Sequence, residues 1–265
     1  MKRLVLVKLG GSLITNKSKP FSENLKTIKR LAKEIHQARQ QTKIELIIGH
    51  GGGSYPHVPA QKYRIAEGVV NQKSFRGIAK VQDAAARLNR IVIEELLAIG
   101  ENAVSVNPSS CIIAAGARIK KGFLEPLIKL LEFEMLPVVY GDVALDEKRG
   151  CCILSTEMIL GFLALKLQKK GFETLRIIHC GKTDGVYDAR GKMLLQITPK
   201  NFARIKRSLG SSDGIDVTGG MLHKVKECLR IARFGIPSQI ISGLKANNLK
   251  KAILGQKVKA TLIKG

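Results

Sequence analysis

Short apolar runs alternate with amphipathic stretches along almost the whole chain. Continuous apolar runs at residues 3–9 (RLVLVKL), 44–48, 136–140, 175–179, 238–241 and 258–263 predict strands, and 103–106 a shorter one. Between them, residues 22–40 place Leu25, Ile28, Leu31, Ala32 and Ile35 on one helical face, with Lys and Arg on the other and Ser22 as N-cap. Further helices are predicted at 72–99, 126–134, 155–170 (capped by Ser155 or Thr156), 199–208, from 216–220 to about 234, and at 247–254. Residues 111–121 read as irregular structure or a hairpin. This alternation predicts an α/β fold: a mostly parallel sheet covered by helices on both faces. Residues 146–150 are polar and turn-like, which places an expected boundary between an N-terminal lobe, 1–150, and a C-terminal lobe, 151–265.

Two of the predicted strands end in glycine. The first runs into Gly10-Gly11-Ser12, flanked by Lys8 and, within ITNK, Lys17. The second, in IELIIGHGGGSYPH, stops at Gly49 and Gly51 to Gly53, followed by Ser54, Tyr55, Pro56 and His57. A strand ending in residues without Cβ atoms leaves backbone N–H groups open to a phosphate. In a parallel sheet such turns share the edge where α/β proteins bind ligands. Two adjoining phosphate cradles suggest a donor phosphate and an acceptor group meeting there. Lys8, on an otherwise apolar strand, is hard to explain as a surface residue.

Composition narrows this. The chain has 265 residues, 45% of them hydrophobic, enough for one large domain or two joined lobes. No apolar run approaches the 18–20 residues of a membrane span, and the N-terminal run is too short for a signal peptide. Five cysteines (Cys111, Cys151, Cys152, Cys180, Cys228) without CxxC spacing suggest buried thiols in a reducing, cytoplasmic compartment. Forty-five Lys and Arg against 21 Asp and Glu give a net charge of +24. The cations are spread along predicted helix faces, aromatic residues reach only 5% and Trp is absent, so platforms for stacking bases are scarce. Steering of small anions fits the charge better than a nucleic-acid partner.

Familiar nucleotide signatures are missing: there is no G-x-x-x-x-G-K-[ST], and the Gly49–Gly53 loop lacks the last glycine of a dinucleotide fingerprint. His and Cys clusters with metal-ligand spacing are absent, so no metal ligands are assigned. What remains is a constellation of KLGGS, ITNK, GHGGGSYPH, TDGVYD and DVTGGMLHK, in order over essentially the whole chain. It resembles the amino acid kinase superfamily, and within it the archaeal-type isopentenyl phosphate kinases; ITNK, His57 and DVTGGM carry the closer match.

The resemblance implies a three-layer αβα sandwich, usually a homodimer, with the phosphate acceptor in the N-terminal part and ATP in the C-terminal part. Lys8, Lys17 and His57 would act in catalysis. Lys8, with Gly10, Gly11 and Ser12, would lie along the β- and γ-phosphates, and Lys17 would stabilise the transferred phosphoryl group. Gly52 would hold the acceptor phosphate, Gly53 the ATP phosphates, and His57 would hydrogen-bond the acceptor. Asp184 and Tyr187 would sit near the nucleotide, while Gly219, Gly220 and Lys224 would close over its phosphates. ATP would carry Mg²⁺ mainly on its own phosphates. A phosphate acceptor is already a nucleophile, so the site should be rich in cations and poor in carboxylates. Phe75, Ile78, Ala79 and Gln82 would border a prenyl tail.

Two departures leave the acceptor open. Ser155-Thr156-Glu157 replaces the family Ser-Gly-Asp, so Thr156 stands where a glycine would meet the acceptor, and 179–184 departs from Thr-Asp-Val-Asp. The alternatives are a sister kinase of another small phosphate or phosphonate such as fosfomycin, a catalytically weakened binding or regulatory homologue, and, on charge alone, an RNA-binding protein.

Overall fold

The computed structural model describes residues 2–16, 18–209 and 219–265. Its centre is an eight-stranded sheet in the order Gln196–Ile197, Ala260–Ile263, Ser238–Ser242, Phe172–Gly181, Lys2–Leu9, Glu45–His50, Leu136–Tyr140, Ala103–Ser105. All neighbours run parallel except Ser238–Ser242 against Ala260–Ile263.

The period-2 alternation of the central strands divides the core. Val5, Val7, Leu9, Leu46, Ile48, Ile178 and Ile241 pack beneath the helices Leu25–Arg39, Lys73–Ala98 and Asn248–Ile253. Leu4, Leu6, Ile47 and Ile177 face the opposite layer, which contains the helices Glu125–Glu132 and Thr156–Gln168. Both faces are therefore buried, as the unbroken apolar runs demand. Lys8 shares the parity of Leu4 and Leu6, so its side chain enters the second layer.

The helices fall close to expectation, and the differences have local causes. The helix predicted at 22–40 begins at Leu25 because Asn24, not Ser22, caps it, accepting a hydrogen bond from Thr27 N at 3.2 Å. Ser22 is engaged elsewhere: its N–H donates to Ser54 Oγ at 3.2 Å and its carbonyl accepts from Asn16 N at 2.8 Å. Ser155 caps Thr156–Gln168, accepting from Met158 N at 3.3 Å. Residues 111–121 contain a hairpin, Ile112–Ala114 with Ile119–Gly122, belonging to a four-stranded sheet with Asp142–Asp146 and Gly150–Leu154. The polar stretch at 146–150 is the turn of that last hairpin, knotted by Asp146, whose carboxylate accepts from Gly116, Ala117, Lys148 and Arg149 backbone N–H groups. The thiols of Cys151, Cys152, Cys180 and Cys228 are buried and that of Cys111 half-buried; all five are free. Among the described residues no helix is long and apolar enough to cross a membrane.

Candidate active site

The strand register pairs Leu9 with His50, so the first two strands end side by side. Both glycine turns then leave the same sheet edge and touch. A Cβ on Gly11 would lie 2.4 Å from Gly53 N, and one on Gly51 would lie 2.9 Å from Gly11 N. Gly53 adopts φ +56°, a left-handed conformation that glycine enters without strain. Any side chain here would push backbone against backbone.

Thr15 and Ser54 clasp the two turns. The Thr15 hydroxyl donates to Gly11 O at 2.8 Å and accepts from Ser54 N at 3.0 Å. Phe21 N donates to Ser54 O at 3.3 Å, tying residues 18–22 to the second turn. Lys17 itself lies outside the described residues. Some main-chain donors are used internally: Gly10 N–H bonds Cys180 O at 2.8 Å and Gly51 N–H bonds Leu9 O at 2.9 Å. The N–H groups of Gly11, Ser12, Gly52 and Gly53 find no acceptor among the described residues. Unpaired main-chain donors on touching loops are the kind of arrangement that can seat an anion.

Behind the seat lies a buried ion pair. Lys8 Nζ sits 2.5 Å from Glu157 Oε1, each side chain 11% exposed. Burial, the largest influence on Glu157, would raise its pKa. The field of Lys8, that of His179, the Lys8 hydrogen bond and the charge of Lys224 overcome this and hold it at about 2. Sequence reasoning treated Glu157 only as a departure and expected a site poor in carboxylates. The contact spans 149 positions, so no local signal announces it. Thr156 serves the same corner: its hydroxyl donates to His50 O at 2.7 Å, and a Cβ on Gly49 would lie 2.7 Å from its methyl. His50 stacks on Tyr140 and lies 3.1 Å, through Nε2, from Asn89 Nδ2; burial pushes it down to about 4, so it is a neutral scaffold.

His57 opens the helix His57–Lys62 just beyond the second turn and borders an open cleft of about 500 Å³ with Ala60, Gln61, Arg64, Ala66 and Glu67. On the long helix, Phe75 and Ala79 face solvent, whereas Ile78 packs on the small core around Ile65 and Val81.

On the other side, the Phe172–Gly181 strand brings Asp184 and Tyr187 to the same edge. Asp184 accepts from the Tyr187 hydroxyl and lies 2.9 Å from Lys259 Nζ, with Lys245 Nζ at 4.0 Å. Burial alone would raise Asp184, but these donors keep its pKa low and the carboxylate charged. Lys245 and Lys259 went unnoticed in the sequence because they come from a distant, generally Lys-rich segment. Gly219, Gly220 and Lys224 lie on Gly219–Ala232, with Lys224 in the second turn rather than the first; a Cβ on Gly220 would meet nothing within 4 Å. Among the described residues no group of three or more His, Cys, Asp or Glu could hold a metal ion.

Residues 3–242 match the model of the amino acid kinase family. The chain belongs to that family. This amino acid kinase is 35% identical to the isopentenyl phosphate kinase of Methanothermobacter thermautotrophicus over 99% of each chain. It is 34% identical to that of Methanocaldococcus jannaschii over 96% of each. A solved isopentenyl phosphate kinase superposes with TM-score 0.84 at 31% identity, covering 99% of this amino acid kinase and 100% of that structure. Its eight-stranded sheet with helices on both faces is thus the amino acid kinase sandwich.

Proposed function

We propose that this chain transfers the γ-phosphoryl group of ATP to isopentenyl phosphate, giving isopentenyl diphosphate and ADP. One observation carries the reading: the two glycine turns touch at the end of the strand that bears Lys8, and main-chain N–H groups on both lack an acceptor among the described residues. Two anionic groups seated there would be brought within reach of each other, and the relatives 35% and 34% identical over 99% and 96% of the chain are isopentenyl phosphate kinases.

In the step, an oxygen of the acceptor phosphate attacks the γ-phosphorus in line. The bond from phosphorus to the β-bridging oxygen breaks, and its electron pair leaves with ADP. No proton need be removed from a phosphate nucleophile, so the catalytic load falls on positioning and charge neutralisation. Lys8, Gly10, Gly11, Ser12 and Gly53 hold the ATP phosphates, with Gly10 contributing the turn rather than its N–H group. Gly52 and His57 hold the acceptor phosphate, Thr156 shapes its seat through His50 and Gly49, and Lys17 faces the transferred group. Asp184 and Tyr187, braced by Lys259, flank the nucleotide, and Gly219, Gly220 and Lys224 cover its phosphates. Mg²⁺ would come with the nucleotide, held mainly on its phosphates, and would add charge neutralisation there. Residues 1–150 form the acceptor part and 151–265 the nucleotide part, in a cytoplasmic homodimer.

Thr156 and Glu157 favour one second reading, a sister kinase for another small phosphate or phosphonate. Turnover of ATP against isopentenyl phosphate, dimethylallyl phosphate, fosfomycin, UMP and amino acids decides between them. The highest kcat/KM is expected on isopentenyl phosphate; a preference for fosfomycin or UMP would overturn the assignment.

A further inference from the structure

The sheet register sets His179 directly opposite Lys8. His179 shares the parity of Ile177, so both side chains leave the sheet on the face covered by Thr156–Gln168. His179 is only 4% exposed, on a strand otherwise lined there by apolar residues. Burial pushes it down to about 3, so the ring is neutral at pH 7. Its Nε2 lies 3.2 Å from Cys228 Sγ, while Nδ1 finds no partner among the described residues. Burial pushes the Cys228 thiol up to about 12, which keeps it protonated and unreactive. The contact is therefore a hydrogen bond between neutral groups, in either tautomer.

Cys228 lies four residues after Lys224 on Gly219–Ala232, one helical turn along the same face. The helix bearing Lys224 is thus stitched to the strand beside Lys8. The charges of both lysines reach Glu157 and favour its ionised form. An apolar pair would fill this space without burying a polar ring. A hydrogen bond adds what apolar packing lacks, a preferred distance and direction.

We propose that His179 and Cys228 are positioning residues that hold Lys224 in register with Lys8 across the nucleotide phosphates. This rests on the kinase reading above, in which both lysines meet those phosphates. Displacing one of two cations that act together costs rate more than substrate binding.

The test compares Cys228→Ala and Cys228→Ser with the parent for kcat, for KM of each substrate and for melting temperature. Cys228→Ala should lower kcat about tenfold while KM for the acceptor stays within about twofold. Cys228→Ser restores a hydroxyl within reach of Nε2 and should return kcat to within about twofold of the parent. His179→Gln combined with Cys228→Ala should be no slower than the slower single variant, because both remove one contact. Should alanine prevent folding, Cys228→Val, close in volume but without a donor, replaces it. An unchanged kcat in the alanine or valine variant, or equal losses in the serine and apolar variants, would overturn the proposal alone. A folded parent inactive on every acceptor would instead overturn the kinase reading, and this proposal with it.

Discussion

Glu157 reaches Lys8 across the gap between the second helical layer and the first strand, with 2.5 Å between Oε1 and Nζ. The lysine is thereby held at the end of its strand, behind both glycine turns, in one orientation. A lone buried ammonium would be expensive, and a solvated one would wander; the carboxylate prevents both. Glu157→Gln keeps the volume and removes the charge. We expect kcat to fall about 100-fold, with a smaller change in KM for ATP, because Lys8 stays present but loses its orientation. Steady-state kinetics would refute this if kcat were unchanged.

The same pair sets an acid dependence of stability. The folded-state pKa of Glu157, about 2, lies below its ordinary 4.5. The ionised carboxylate therefore stabilises the fold fully above the unfolded value, and that contribution disappears as pH falls towards 2. Breaking one partner of such a pair costs about 3–5 kcal/mol near neutrality. Urea unfolding of parent and Glu157→Gln should show a gap that narrows between about pH 4.5 and 2.5. A gap independent of pH would mean that the glutamate stabilises by packing alone.

The glycines of the site are not equivalent. In Gly11→Ala the new methyl would meet Gly53 N at 2.4 Å and Gly53 Cα at 2.8 Å, both backbone atoms that cannot move without opening the seat. Loss of activity and a stability loss of about 1–3 kcal/mol are expected. Gly220→Ala meets nothing within 4 Å and lies near a helix start. It should fold at least as well, by up to about 1 kcal/mol, and reveal itself only in KM for ATP. Equal melting temperatures for the two variants would contradict the interlocked turns.

His57→Ala should act on the acceptor. A hydrogen bond to a charged phosphate is worth about 1.5–3 kcal/mol, or roughly a 10- to 100-fold rise in acceptor KM. KM for ATP should move less than threefold. If both constants rose together, His57 would belong to the shared phosphate seat instead.

Lys17→Ala provides the complementary case. A cation on the transferred group acts chiefly in the transition state, so kcat should fall by about 100-fold or more with ATP affinity little altered. Calorimetric titration with ATP alongside single-turnover rates separates the two. A parallel loss of nucleotide binding would place this lysine on the ground-state phosphates.

Much of the fold was readable from periodicity. Apolar runs of strand length, separated by stretches of helical period, permit few arrangements other than a covered parallel sheet, and the glycine breaks marked where its first two strands end side by side. Boundaries failed where a competing bond decided them: Ser22 was drawn to Ser54, and Asn24 took the cap. The small four-stranded sheet was hidden because its strands are only three to five residues long, and residues 146–150 resemble a linker until Asp146 is seen gathering the turn. Lys8 was legible because a cation in an apolar strand is anomalous by itself. Lys259 was not, since one lysine among many carries no mark.

By itself, then, the sequence determined the local chemistry: which segments prefer strand or helix, where side chains vanish from the backbone, and which residue types are available to meet phosphate. These follow from near-neighbour sterics and hydrophobic spacing, which a linear pattern records. Only the tertiary structure decided which distant groups share a charge or a hydrogen bond, namely Glu157 with Lys8, Lys259 with Asp184 and Cys228 with His179. Such pairings depend on strand order and register, and those emerge only when the whole core packs.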